Sequence, residues 1–142
     1  MTAMFSVETI AGRLIEVRLG SPLIASEVTD VIQQVRMAVL GCPGRVVVCA
    51  ELTRMLVMPP EFADQFTAMF TRDNPKVERS AFLVAFKRSG FTMQLERMVR
   101  EANNPARRVF DDKGDLLAYL EPVLTPVEAQ RLRSLLANAA TG

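Results

Sequence analysis

Two short apolar runs open the chain with the pattern of β-strands. Residues 4–10 and 13–19 are β-prone and are separated by Ala11-Gly12. The second run alternates apolar and charged side chains in the order Ile15, Glu16, Val17, Arg18 and Leu19. Alternation with a period of two places the apolar side chains on one face of a strand. The pattern predicts an antiparallel hairpin.

Three segments have the period of amphipathic helices. Apolar side chains recur along one helical face in residues 24–39, and residues 41–44, Gly-Cys-Pro-Gly, supply a stop signal. Residues 60–71, which begin with a proline, and residues 91–102 carry the same kind of apolar face. We therefore predict a helix in each segment.

Two continuous apolar runs, at residues 45–50 and 80–86, lack alternation. Such runs are typical of strands that are covered on both faces. A short strand is predicted at 107–110, followed by a leucine-rich helix that ends near Pro122. A capping box with proline at the first helical position, Thr125-Pro126-Val127-Glu128, then opens a further helix over residues 125–140.

The predicted order is β-β-α-β-α-β-α-β-α with an extra C-terminal helix. Every strand after the hairpin is reached through a helix, which favours parallel pairing. The sequence therefore predicts an α/β fold with one mixed β-sheet. A chain of 142 residues fits a single domain spanning residues 1–142.

This order resembles the STAS superfamily, and more narrowly the divergent group related to the sporulation anti-anti-sigma factor. The similar features are the strand at 45–50, the turn Glu51-Leu52-Thr53 and the strand-helix segment 108–120. The resemblance covers residues 4–121, which leaves the helix at 125–140 as an addition. It implies a regulatory or scaffolding protein that binds a partner protein beside the strand at 45–50.

Phospho-regulated members of that superfamily have a phosphorylated Ser or Thr at the opening of the following helix. Here the opening reads Met58-Pro59-Pro60, and Thr53 is the nearest hydroxyl. We therefore expect that no phosphoryl switch of the family type operates in this chain.

The amino-acid composition limits the kinds of catalytic and metal-binding sites that the chain can form. The chain has no histidine, which removes the commonest general base and a frequent metal ligand. Cys42 and Cys49 do not form a zinc or disulfide pattern. We expect no cofactor, no metal and no enzymatic activity, although an enzyme acting through Glu51 or Glu61 stays open as a third alternative.

A partner-binding site is predicted around the loop after the strand at 45–50, where ligands and partners of α/β sheets usually dock. Its residues are Glu51, Thr53, Arg54, Met55, Met58 and Glu61. The apolar run Met55–Met58 has no strand or helix period to satisfy, so it either forms an exposed contact surface or folds under as a lid on the core. Local turn contacts and an ion pair between Glu51 and Arg54 are the simpler alternative.

A small apolar ligand or lipid is the alternative function. It would lie near Met55–Met58 and the side chains of Phe62, Phe66 and Phe70. The turn at residues 87–90 offers only a weak anion-binding pattern, and a solvated turn is the favoured interpretation.

Nucleic acid is not an expected partner. The 17 basic and 16 acidic residues leave a formal net charge of +1, so only a local field is available. Arg97, Arg100, Arg107 and Arg108 form a candidate basic patch, but the chain has no Trp and one Tyr to interleave with it.

The helix at 125–140 carries an apolar face that needs burial. We predict that Leu132, Leu135 and Leu136 make a homodimer or partner contact, with packing inside the chain as the alternative. The apolar runs are too short to span a membrane, and the N-terminal residues lack a signal-peptide pattern. A cytoplasmic location is therefore expected.

Overall fold

The computed structural model describes residues 5–139. Met4, the first residue of the predicted first strand, and Ala140, the end of the predicted last helix, lie outside the described residues. The strands are β1 (Phe5–Ala11), β2 (Leu14–Gly20), β3 (Val46–Arg54), β4 (Val77–Leu83) and β5 (Arg107–Phe110). The helices are α1 (Ala25–Leu40), α2 (Pro60–Asp73), α3 (Gly90–Ala102), α4 (Lys113–Leu120) and α5 (Pro126–Ala137). Short 3₁₀ turns cover Asn74–Lys76 and Glu121–Val123.

The five strands form one sheet in the order β1-β2-β3-β4-β5. β1 and β2 are the predicted antiparallel hairpin, closed by Gly12 at a φ of +52°. The pairs β2-β3, β3-β4 and β4-β5 are all parallel. The predicted α/β class and single mixed sheet are therefore confirmed for residues 5–139.

Helices cover both faces of this sheet. α1, α2 and α3 pack on one face and form the three-helix layer, whereas α4 and α5 pack on the other and form the two-helix layer. β3 serves both, because Val46, Val48 and Ala50 face the three-helix layer while Val47 and Cys49 face the two-helix layer. All five side chains are at most 8% exposed, so the continuous apolar run is a doubly covered strand, as predicted.

Two strands, β3 and β4, have boundaries that differ clearly from the prediction. β4 begins at Val77, not at residue 80, because the charged Glu78 and Arg79 are accommodated in the strand: Glu78 pairs with Arg13, and Arg79 donates to the Tyr119 carbonyl. The apolar residues Ala85 and Phe86 have already left the sheet. β3 continues to Arg54, so the predicted turn at Glu51 is strand, paired with Arg18 and Leu83 on its two neighbours.

α5 packs inside the chain. Leu132, Leu135 and Leu136 are 0–5% exposed and belong to the core of the two-helix layer. A bidentate ion pair from Arg131 to the buried Glu16 of β2, at 2.6 and 2.8 Å, fixes the helix on the sheet. The three leucines are therefore unavailable for the predicted homodimer or partner contact, because the face that needed burial is satisfied by the sheet and α4.

Candidate interaction surface at the carboxyl edge of the sheet

The four parallel strands all end at the same edge of the sheet. The loops that leave β2, β3 and β4, at residues 21–24, 55–59 and 84–89, therefore lie together at this carboxyl edge. Each loop leads into the first turn of a helix of the three-helix layer. In α/β sheets this edge is the usual location of binding sites.

Glu51 and Thr53, two of the predicted partner-binding residues, interact with each other. Both the backbone amide of Thr53, at 2.8 Å, and its hydroxyl donate to the Oε1 atom of Glu51. Glu51 is only 8% exposed. Its carboxylate therefore accepts local hydrogen bonds at the end of β3. The ion pair with Arg54 that belonged to the simpler alternative is not formed within residues 5–139.

The run Met55–Met58 is neither wholly exposed nor wholly a lid. Met55 and Met58 are each 7% exposed and join the core of the three-helix layer. Leu56 and Val57, between them, are 70% and 60% exposed. Most of each Met55 and Met58 side chain therefore lies in the core, and a partner can reach them only where they line the groove described below, so their contact with a partner stays a prediction.

Five large apolar side chains are exposed at this edge, and we call them together the carboxyl-edge surface: Ile24, Leu56, Val57, Phe86 and Met93. Their exposed fractions are 55% or more, a condition that the described chain otherwise meets at Ile10, Met37, Leu40 and Val127. The helix period indicated a buried Ile24, and the apolar run at 80–86 indicated a buried Phe86. The sequence feature that could have indicated an exposed Phe86 is the Lys87-Arg88 pair, which follows it directly and ends the apolar run.

Hydrogen bonds hold the three loops against one another. The Ser21 hydroxyl accepts from the Leu56 amide at 2.8 Å. The side-chain amide of Gln94 in α3 forms two hydrogen bonds with the backbone of Met58. Its Oε1 accepts from the Met58 amide at 2.9 Å, and its Nε2 donates to the Met58 carbonyl at 2.8 Å. The Thr92 hydroxyl donates to the Phe86 carbonyl at 2.6 Å. The exposed apolar side chains are therefore presented from tied loops.

A surface groove of about 260 Å³ lies beside the carboxyl-edge surface. It runs between Ser21–Leu23 and Met55–Pro59 and is closed by Phe62. Inside the three-helix layer, by contrast, the internal cavity lined by Met55, Met58, Phe66 and Phe70 has a volume of only about 50 Å³. Ligand pockets usually measure about 300–1,000 Å³, so the described conformation has no room for a lipid between these side chains.

Three exposed bases lie beside the carboxyl-edge surface, one at the end of β3 and two in the loop after β4. Arg54, Lys87 and Arg88 flank the carboxyl-edge surface and are exposed, whereas the loops contain no Asp or Glu. Within residues 5–139 none of the three forms a salt bridge. Glu61, the other exposed residue of the predicted site, stands on the first turn of α2.

The predicted basic patch on α3 and β5 does not include Arg107, whereas Arg100 and Arg108 line one cleft. Arg107 is 6% exposed and donates to the Phe70 carbonyl and to Asn74, each at 3.0 Å. Burial lowers its pKa to about 10, against the opposing effect of Asp73. Arg97 pairs with Glu101, and Arg108 stacks on the Tyr119 ring. Arg107 is thus a structural group, which the sequence pattern did not distinguish from its exposed neighbours.

Charged side chains line one cleft of about 390 Å³, among them Lys87, Glu96, Arg100, Arg108, Asp111 and Asp115. Cys49 lies elsewhere, in the buried core of the two-helix layer. Burial, with the carboxylates of Glu16 and Glu51 beside it, raises the pKa of the Cys49 thiol to about 12, so the thiol is protonated at neutral pH. No group of three or more Cys, Asp or Glu side chains in residues 5–139 has the arrangement of a metal site.

Comparison with known proteins gives no match to a protein-family model, a curated protein or a solved structure. None of the helices in the described part of the chain combines the length and apolar character needed to cross a bilayer.

Proposed function

We propose that the protein is a non-catalytic regulatory or scaffolding module, similar to STAS proteins, that binds a partner protein through the carboxyl-edge surface. The observation that carries this proposal is the clustering of Ile24, Leu56, Val57, Phe86 and Met93 on tied loops at one edge. Clusters of exposed apolar side chains rimmed by polar groups are typical of protein interfaces.

The fold supports the STAS-like part of the proposal in a general way. The mixed five-stranded sheet has a helix after each parallel strand, and the candidate surface begins where β3 meets α2. Thr53 is half-buried in β3 and bonded to Glu51, and the opening of α2 has Pro59 and Pro60 in place of a hydroxyl. The absence of a phosphoryl switch stays a prediction, as does action without catalysis.

A partner protein explains the site better than a buried apolar ligand. The internal cavity of about 50 Å³ is too small for a lipid, whereas the surface groove opens beside exposed Leu56 and Val57. An interface residue of a partner would fill such a groove as an anchor. We include a cytoplasmic setting in the proposal because Cys42 and Cys49 are both free thiols, the form that a reducing compartment maintains.

Site-specific photo-crosslinking in the cell of origin tests this proposal. A photoreactive phenylalanine analogue at Val57 or Phe86 should yield a covalent adduct with another protein. The same analogue at Met37 is the matched control, because Met37 is 66% exposed but lies on the last turns of α1, at the opposite edge. Absence of a protein adduct from both test positions, or equal adducts from Met37, would contradict the proposal.

A further inference from the structure

The rim of the carboxyl-edge surface has a charge that its partner must match. Arg54 at the end of β3 and Lys87 and Arg88 in the loop after β4 are exposed and form no salt bridge within residues 5–139. The carboxylates at the same edge are Glu27, which accepts the Ile24 amide, Glu61 on the first turn of α2, and Asp111 and Asp112 after β5. Opposite charges across an interface direct encounter and fix orientation. A partner surface that covers these bases with other bases would be repelled, so the local charge selects its occupant.

The apolar side chains define the second requirement. Leu56 and Val57 project from one loop, Phe86 from the next, and Met93 from the first turn of α3. Val57 also lies against the start of α3, since a Cβ atom placed on Gly90 would be 3.0 Å from its Cγ2. A matching partner segment needs an apolar stripe facing these side chains and polar groups beside the stripe.

From these two features we infer that the carboxyl-edge surface binds an acidic amphipathic segment of a protein. The inference rests on the proposed function and specifies the chemistry of the partner. Apolar side chains of the segment cover the carboxyl-edge surface and fill the groove beside Phe62. Its carboxylates pair with Arg54, Lys87 and Arg88 on the rim.

The exposed carboxylate of Glu61 allows a test of the sign of the charge on the bound segment. This carboxylate stands on the first turn of α2, close to the groove residues Pro59 and Phe62. An acidic segment is repelled by this carboxylate, so its replacement by lysine should strengthen binding. A basic or neutral segment would show the opposite response or none.

Fluorescence anisotropy with synthetic peptides tests the inference. The probe is a labelled peptide with leucine along one helical face and glutamate along the other. Comparison peptides carry lysine in place of glutamate, or serine in place of leucine. We expect the full protein to bind the leucine-glutamate peptide in preference to both, with an affinity that falls as salt is added.

Protein variants with matched net charge make the test specific. K87Q combined with R88Q lowers the net charge by two, and so does the control Arg45→Glu, whose exposed side chain precedes β3 at the opposite edge. The first variant should bind the acidic peptide about threefold to tenfold more weakly. The control should bind it like the unmodified protein, and Glu61→Lys should bind it more tightly.

Three results would overturn the inference. They are failure to bind the acidic peptide, preference for the lysine peptide, and equal losses in the K87Q/R88Q variant and the Arg45→Glu control. Binding to phosphatidylglycerol vesicles that is lost in K87Q/R88Q, without binding to the peptide, would assign the surface to a membrane instead. A protein adduct from Val57 or Phe86 together with any of these results would leave the proposed function standing and remove only the acidic chemistry.

Discussion

At Gly12, backbone conformation and packing select the same residue. Its φ of +52° is a region that L-residues with a side chain seldom adopt, and a Cβ atom here would stand 2.1 Å from Oε2 of Glu128. That carboxylate is buried and accepts the amide of Arg13 at 2.8 Å. The hairpin and α5 are therefore joined at a turn where a side chain does not fit.

Gly12→Ala should lower the free energy of unfolding by about 2–4 kcal/mol, because it combines left-handed backbone strain with displacement of the Glu128 carboxylate. Urea denaturation measures the change. Gly44→Ala is the control, since a Cβ atom there meets nothing within 4 Å, and it should change stability by less than about 0.5 kcal/mol. Equal effects of the two substitutions would contradict this account.

Glu128 also gives stability a dependence on pH. Burial raises its pKa, but hydrogen bonds from Thr125 and Arg13 outweigh burial and hold the pKa below the usual 4.5. Because the folded pKa is depressed, this stabilisation is complete above the ordinary glutamate range and is lost as pH falls through the folded value.

Glu128→Gln should therefore be destabilising at neutral pH, and its deficit relative to the unmodified protein should shrink under acidic conditions. Denaturation curves across a pH series measure that difference. Glu101→Gln, which alters a carboxylate that is exposed and paired only with Arg97, should show a small deficit throughout. A deficit for Glu128→Gln that is independent of pH would exclude the proposed origin.

Among the elements, α5 changes most between prediction and structure. Its leucines are buried against the sheet, and its exposed apolar residue is Val127, at 70% exposure on the first turn. The helix completes the two-helix layer together with α4.

Leu132→Ala should destabilise the protein by about 2–5 kcal/mol, as is usual for a fully buried leucine, without changing its oligomeric state. Val127→Ala should be nearly neutral. Urea denaturation and light scattering together measure both quantities. If Leu132→Ala instead left the free energy of unfolding unchanged and lowered the mass measured by light scattering, that result would support a dimer contact through this leucine.

The sequence predicted an element correctly where its apolar residues recur with a helix or strand period, or form a continuous run typical of a strand that is covered on both faces. The hairpin, α1 and β3 follow directly from these signals. An amphipathic face shows that a helix must be covered but does not identify what covers it, so the packing of Leu132 was open. The run Met55–Met58 has no period, and its alternate burial depends on contacts from Ser21 and Gln94, which are distant in the chain.

The burial of three charged residues also could not be predicted from the sequence. Glu and Arg usually lie on the protein surface, yet Glu16, Glu51 and Arg107 are each at most 8% exposed. Each is accommodated by a partner far along the chain or by a local bond, such as the pair from Arg131 to Glu16. Sequence spacing alone does not reveal these pairings, because they depend on which helix lies over which strand.

At the scale of the whole molecule, β3 couples the two layers. Neighbouring residues of this strand face opposite helix layers, so loss of either layer uncovers one face of the strand on which the other layer packs. Such sharing favours a single cooperative transition. The small number of fluorescent residues makes this testable without new labels.

Unfolding in urea should give coincident curves by Tyr119 fluorescence and by far-ultraviolet circular dichroism. Tyr119 belongs to the two-helix layer, where its hydroxyl donates to the Ala106 carbonyl at 2.7 Å, and it is the chain's one tyrosine, with no tryptophan present. The dichroism reports all helices. A fluorescence midpoint at clearly lower urea would show that the two-helix layer unfolds separately.

The doubly covered strand also has a consequence for synthesis on the ribosome. The run Val46–Ala50 is uncharged, rich in β-branched residues and free of proline, which is the composition of aggregation-prone segments. Its second face is covered by α4 and α5, which emerge long after the strand itself. A nascent chain that has completed β4 but not α5 therefore lacks helices that cover Val47 and Cys49. We expect the uncovered strand to be most prone to aggregation during this stretch of translation.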